Sequence, residues 1–203
     1  QGNSFTPGVP EHCRVLGQIA ARSAGAQPIQ FQLNLPTGQG AWNGKALQYG
    51  GGGFNGVLIN GLAPLRDAAP DDPLPLARGY ATFGTDSGHQ AAASPPSDPG
   101  AFAQNDEMLE NFAYASYKKL RDVAVVLMQG VYGRRPAQVY YFGGSEGGRE
   151  GLTMAQRFPA DYDGIVSVVP VINWTGLFHA FVRNSVPQFG DWLDAGKTNL
   201  IAK

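Results

Sequence analysis

From Pro28 the chain alternates apolar Ile29, Phe31, Leu33 and Leu35 with polar Gln30, Gln32 and Asn34, the period-two pattern that predicts a half-buried strand. Gly38 to Gly44 reads as a turn, and KALQY, Lys45 to Tyr49, predicts a second strand that ends at four glycines, Gly50 to Gly53. Four prolines and three aspartates between Leu62 and Pro75 predict a loop, with at most a broken helix up to Arg78. Tyr80 to Gly84 reads as a core strand and Ser94 to Gly100, SPPSDPG, as loop. Asn105 to Gln129 has no proline or glycine, and Met108, Phe112, Ala115, Leu120, Ala124, Leu127 and Met128 roughly repeat at helical spacing; Gly130 to Pro136 then stops the helix. Gln138 to Phe142 predicts a strand, and Glu146 to Phe158 a helix closed by Pro159. Gly164 to Pro170 is an apolar, β-rich run of the kind found in a parallel sheet covered on both faces. The alternation of strand and helix from Tyr80 to Pro170 predicts an α/β fold. Beyond Asn173 the pattern dissolves.

Within this pattern one segment raises a chemical question: YYFGGSEGGREG, Tyr140 to Gly151, sets a single serine among glycines between a strand and a helix. Gly143-Gly144-Ser145-Glu146-Gly147 matches G-x-S-x-G, which carries meaning only in that strand-turn-helix context. A sharp turn would hold Ser145 in a strained conformation, and side chains at the flanking positions would collide with neighbouring backbone. Ser145 would then stand at a helix N-terminus, with the Glu146 N–H facing a developing oxyanion and the helix dipole assisting. The competing reading is a glycine-rich turn that holds phosphate at the helix N-terminus, although the Gly-Lys-Ser/Thr ending of a phosphate loop is missing.

An oxyanion hole needs a second donor, which in such folds comes from a loop after an early strand. Gly50 to Gly53 fits, with Gly53 or Gly52 as donor; a plain flexible loop is the alternative. A serine also needs a base, and the chain has only His12, His89 and His179. In the order serine, acid, histidine only His179 follows Ser145, and 34 residues leave no room for the intervening acid strand. His12 and His89 read as structural histidines, and Asp86 and His89 of TDSGH come in the wrong order for a triad.

Composition narrows the classes. The 203 residues suffice for one ordinary domain, which would bury about 70% of its unfolded surface. Net charge is −1, from 15 basic against 16 acidic residues, which argues against nucleic acid or an anionic membrane as partner. No apolar run reaches the ~18 residues of a membrane span, and QGNSFTPGVPEHC has neither a charged nor an apolar leader region, so a soluble chain with any signal peptide removed is expected. Cys13 is the sole cysteine, which excludes an internal disulfide and cysteine-rich zinc sites. With 28 glycines, 15 prolines and only 15% charged residues, the composition leans toward a loop-rich secreted enzyme. Asp71, Asp72 and Asp98 show no coordination pattern and read as solvated loop carboxylates.

PEHCRVLGQI, LPTGQGAWNGKALQYGGGGFNG, LARGYATFGTDSGH, VYGRRPAQVYYFGGSEGGREGLTMAQRFPADYDGI and the NW that follows resemble, together, the tannase and feruloyl esterase family of α/β-hydrolases, the family that includes mono(hydroxyethyl) terephthalate hydrolase. The resemblance runs from Pro10 to about Trp174 and implies the N-terminal, nucleophile-bearing portion of an α/β-hydrolase core over residues 1–172: a mostly parallel sheet with flanking helices. Residues 173–203 would begin an inserted lid. It further implies a secreted serine esterase of small aromatic esters of feruloyl, galloyl or terephthalate type. Ser145 takes the nucleophile's place, and Glu146 with Gly52 or Gly53 the oxyanion hole. The family's acid and histidine follow the lid, so Asp and His are expected from a second chain of the same precursor or from a C-terminal part outside these residues. Its structural calcium lies in the lid, leaving no cofactor expected here. Phe54 and Trp174, with Phe178 and Phe181, are candidates for aromatic substrate surface, against ordinary core packing. Many members carry a cysteine before the serine, bonded to one beside the catalytic histidine, where this chain has Gly144. Cys13 matches a cysteine that in similar proteins pairs further upstream, which leaves it free here or its partner trimmed away. The rival expectation is a catalytically inactive hydrolase-like fragment that acts as a binding module.

Overall fold

A computed structural model of the chain describes residues 8–93, 98–186 and 199. They fall into two compact units, one ending at Pro170 and one starting at Val171.

The first unit is built on a six-stranded sheet of order β1-β2-β4-β3-β5-β6, formed by β1 (His12–Ile19), β2 (Ile29–Pro36), β3 (Lys45–Tyr49), β4 (Ala81–Thr85), β5 (Gln138–Gly144) and β6 (Gly164–Val168). Only β2 runs against its neighbours; β4, β3, β5 and β6 are mutually parallel, as the strand-helix alternation predicts. The expected strands are all present. β1, which no alternation announces, forms by pairing along its whole length with β2, from His12 opposite Pro36 to Ile19 opposite Ile29.

Two strand readings need correction. The polar side of β2 is not solvated: Gln32 and Asn34 are buried. The loop around Ile59 covers this side, with Ile59 packed where a Gly84 side chain would stand and its N–H donating to the Thr85 carbonyl. Asn34 satisfies that covering loop by donating to the Asn60 carbonyl at 2.7 Å while it accepts from Gln32 at 2.8 Å. A buried polar face is tolerable because its groups pair. β6, expected to be covered on both faces, is the last strand among the described residues and only half-buried, with Val166 53% exposed.

The long apolar-periodic segment is helical but not uniform. Asn105 caps α1 (Asp106–Glu110) by accepting from the N–H groups of Glu107 and Met108. A single wide π-turn, Asn111–Ala115, follows and leads into α2 (Ser116–Tyr132). The helix stops within the expected Gly130–Pro136 segment, at Gly133, whose φ of 70° makes the left-handed C-terminal turn. Tyr117, Leu120, Ala124, Val125 and Met128 of α2 join Leu33, Phe83, Val139 and Tyr141 of the sheet and Met154 of α3 (Glu146–Arg157) in one core cluster.

In the second unit a helix appears where the pattern was expected to dissolve: α4 (Trp174–Ser185), capped by the Asn173 side chain accepting from the Gly176 N–H at 2.8 Å. Trp174, Leu177, Phe178, Phe181 and Val182 repeat at helical spacing within it, a signal already in the sequence.

Beyond β4 the chain is fixed by polar contacts. Asp86 accepts from the N–H groups of Gln30 and Gly88 and from the Gln90 amide. His89 is buried, stacked on Phe102 at 3.7 Å between centroids, edge-on to Phe112, and hydrogen-bonded to the Phe54 backbone. Burial lowers its pKa from 6.5 to about 4, against that hydrogen bond. Between these values the unfolded chain binds more protons, so the stability of the neutral ring is complete above about pH 6.5 and is lost as the pH falls toward 4. Burial holds the Asp86 carboxyl above its usual range, which acts in the opposite sense but is common to wild type and a histidine variant. The Tm of wild type should therefore drop more steeply between pH 7 and 4.5 than that of His89→Gln, by thermal melts in matched buffers; parallel curves would refute a neutral buried imidazole.

The first turn of α3 presses on the loop after β3 without a side chain between. A β-carbon on Gly147 would stand 2.7 Å from the Gly51 carbonyl oxygen, whereas one on Gly130 of α2 would meet nothing within 4 Å. Backbone cannot swing aside as a side chain does. Gly147→Ala should cost about 1–3 kcal/mol in denaturant unfolding, while Gly130→Ala should gain up to about 1 kcal/mol. Equal stabilities for the two variants would contradict this close approach.

Candidate active site

Ser145 is the hinge between β5 and α3, with φ 58° and ψ −118°, a region that costs a non-glycine residue of order 1–3 kcal/mol. Three constraints hold it there. Its N–H donates to the Val168 carbonyl on neighbouring β6 at 3.0 Å, and its own carbonyl accepts from the Arg149 N–H at 3.1 Å. Gly143 must lack a side chain, because a β-carbon there would lie 2.3 Å from the Gly147 carbonyl oxygen. The result is a half-exposed serine at the N-terminus of a twelve-residue helix.

Gly144 differs from its neighbours. A β-carbon there would meet chiefly the flexible Arg66 side chain, Cδ at 3.0 Å, so geometry does not reserve this position for glycine as it reserves Gly143 and Gly147.

The structure brings the Gly50–Gly53 loop to the same turn. The Gly147 N–H donates to the Gly51 carbonyl at 3.2 Å, and the Gly50 N–H to the Phe142 carbonyl of β5 at 2.8 Å. The Gly51 N–H donates to Glu150 Oε2 at 3.1 Å. Of the four glycines, then, the first two spend their N–H groups on holding the loop. Gly52 and Gly53 form its exposed crest, which closes as a turn by the Asn55 N–H donating to the Gly52 carbonyl. Phe54, next in line, is half-buried with its ring 6.4 Å from that of Phe112.

Two acids on α3 point inward, which the sequence reading missed. Glu146, 1% exposed, is paired through its side chain with Arg149 at 2.5 Å. Arg149 in turn donates to the Phe112 and Ala113 carbonyls of the π-turn. Burial works against the guanidinium charge, but the hydrogen bonds and field of Glu146 outweigh it and hold its pKa above the ordinary value. Glu150, fully buried, accepts from Gly51, from the Asn55 amide at 2.5 Å and from the Tyr141 hydroxyl at 2.5 Å. The available signal was the charged pair in GGREG, placed between glycines on a helix with a buried face.

The three histidines lie on different elements. His12 lies on β1, four strands from β5 in the sheet and so ~19 Å away at the usual strand spacing, with Nδ1 2.8 Å from the Pro10 carbonyl. His89 is engaged with Phe102 and the Phe54 backbone. His179 is on α4 of the second unit, where Trp174 stacks on Phe178 at 4.9 Å and Phe178 meets Phe181 edge-on. Cys13 is an exposed free thiol on β1. Among the described residues no three His, Cys, Asp or Glu side chains converge on a possible metal, and no helix is long and apolar enough to cross a membrane.

Residues 13–203 match the family model described as tannase and feruloyl esterase. An uncharacterized esterase of Agrobacterium fabrum is 47% identical over 167 residues, 82% of this chain and 29% of that protein. Mono(2-hydroxyethyl) terephthalate hydrolase of Piscinibacter sakaiensis is 34% identical over 203 residues, covering 96% of this chain and 33% of its own length. Among solved structures, feruloyl esterase B from Aspergillus oryzae superposes with a TM-score of 0.64 at 29% identity, covering 82% of this chain and 29% of that one. The chain thus spans about a third of the length of the relatives it matches. With the strand order, the serine turn and the sequence match in agreement, the chain belongs to the tannase and feruloyl esterase family.

Proposed function

We propose that this chain carries the nucleophile and oxyanion hole of a carboxylic ester hydrolase acting on aromatic esters. The observation that carries the reading is the Ser145 turn: a strained, half-exposed serine between a parallel strand and a helix, with a glycine loop held against the first helical turn. Ser145 Oγ attacks the ester carbonyl while its proton passes to a base, and the carbonyl electrons collect on oxygen. The N–H groups of Glu146 and of Gly52 or Gly53 receive that oxyanion, and they need no reorganisation because the loop is already fixed. Collapse expels the alcohol, which takes the proton from the base. Water then attacks the acyl-enzyme by the same route and releases the acid.

The base and its acid come from polypeptide outside these 203 residues, either a second chain of the same precursor or a C-terminal part. His12 lies on β1 beside the Pro10 carbonyl, and His89 is stacked on Phe102 and hydrogen-bonded to the Phe54 backbone. The relatives, about three times as long, have room for the remaining machinery. The aromatic substrate class rests on the relatives named for feruloyl and terephthalate esters, with Phe54 placed directly after the oxyanion loop as a ring for the substrate to meet. Feruloyl, galloyl and terephthalate-type acids all suit such a surface. The same resemblance supports secretion.

A fluorophosphonate probe applied to the natural full-length protein should label the peptide that contains Ser145, read by mass spectrometry after digestion. Ser145→Ala should lower turnover of methyl ferulate by roughly 10⁴- to 10⁶-fold with folding intact. A folded protein that takes no label, or turnover that survives the substitution, would give precedence to a non-catalytic binding module.

A further inference from the structure

Glu150 is a carboxylate with no exposed surface, five residues into the helix that starts at Ser145, and none of the steps above uses it. Its three donors come from two elements: the Gly51 N–H from the start of the loop after β3 and the Asn55 amide from the end of that loop, and the Tyr141 hydroxyl from β5. Asn55 also donates to the Tyr117 hydroxyl, which itself donates to the Phe112 carbonyl of the π-turn. Gly50 has no space for a side chain because Tyr141 Oη, the Gly147 backbone and Glu150 Oε2 would lie within 3.0 Å of it. The loop is therefore seated on Glu150 at its base, through Gly51, and at its far end, through Asn55. Gly52 and Gly53 lie between those two anchors.

We propose that Glu150 is the positioning residue of the oxyanion hole: it ties the Gly50–Gly53 loop to α3, so that the loop's donors and the Glu146 N–H face the same point. The proposal rests on the ester hydrolase reading. A misplaced donor weakens stabilisation of the oxyanion more than binding of the ground-state ester, so the loss should fall on kcat. Glutamine is the conservative replacement. Its carbonyl oxygen can take over the Gly51 and Tyr141 bonds, and its amide nitrogen can donate to Asn55 Oδ1, which is buried without a hydrogen bond among the described residues, once that amide turns over.

The test uses the natural full-length protein, with methyl ferulate turnover normalised to folded protein by circular dichroism and thermal melt. Glu150→Ala should lower kcat by about 10²-fold, the scale of one lost oxyanion donor, with KM within about threefold, and Glu150→Gln should recover most of that loss. Wild-type kcat in folded Glu150→Ala, or a loss confined to KM, would overturn the proposal. Should Glu150→Ala fail to fold, Asn55→Gly decides: it removes the far anchor while glycine accepts the φ of 53° at that position. A clear fall in kcat at unchanged KM would support the proposal and an unchanged kcat would overturn it. Ser145→Ala is run in parallel. If turnover survives it, the hydrolase reading itself falls and this proposal with it, an outcome separate from a Ser145-dependent enzyme indifferent to Glu150.

Discussion

The site depends on one backbone contact, the Gly147 N–H against the Gly51 carbonyl. It requires the first turn of α3 and the loop after β3 to approach with no side chain between them, which explains why glycine is needed at 147 on one side and at 50 on the other. A β-carbon on Gly50 or Gly147 meets backbone or the buried Glu150–Tyr141 pair, and one on Gly51 meets the Asn55 amide that Glu150 holds. The strained conformation of Ser145 follows from the same constraint. The chain must leave β5 and enter α3 within one residue if the helix is to reach the loop, and the bond to Val168 on β6 holds the serine in that turn.

Around the seam the protein buries charge, which is costly unless fully paired. Two arrangements meet the requirement differently. Glu146 and Arg149 form an ion pair whose spare donors reach the Phe112 and Ala113 carbonyls, and the π-turn is where those carbonyls leave the regular helical ladder. Glu150 relies instead on neutral donors and the neighbouring guanidinium field. Burial and the Glu150 charge push the Tyr117 and Tyr141 hydroxyls well above their ordinary pKa, so both stay protonated donors. Such networks specify one geometry because each partial rearrangement strands a polar group. Here the geometry specified is the relation between helix and loop.

How much of this was legible from sequence divides along physical lines. Strands with strong alternation or dense β-formers, β2 to β6, and the serine turn were legible because their signals are local. β1 was not, since pairing with β2 rather than its own pattern makes it a strand. The solvated face expected for β2 failed because only the fold places the Ile59 loop over Gln32 and Asn34. The stop between Gly130 and Pro136 was legible, but not which glycine makes it: Gly130 inside the helix costs about 1 kcal/mol, which seventeen residues of packed helix absorb, and the chain turns at Gly133. α4 was under-read, although its spacing was plain. In the site, Ser145 and its glycines were visible, but the role of Glu150 was not, since its three partners are 99, 95 and 9 residues away in sequence.

Gly144 shows where necessity ends. Its neighbours are fixed by backbone collisions, yet a β-carbon at 144 would meet chiefly the end of an arginine, a neighbour able to yield. The steric rule that imposes glycine at 143 and 147 is therefore silent at 144, and other residues are compatible with the same turn. The resemblance describes a cysteine at this position in many family members, bonded to one beside the catalytic histidine. In this chain the turn is held without a covalent tie, by the Val168 bond on one side and the Gly51 contact on the other. The serine geometry therefore needs nothing at 144 beyond a residue that fits beside Arg66, because backbone bonds and the glycines on either side already define it.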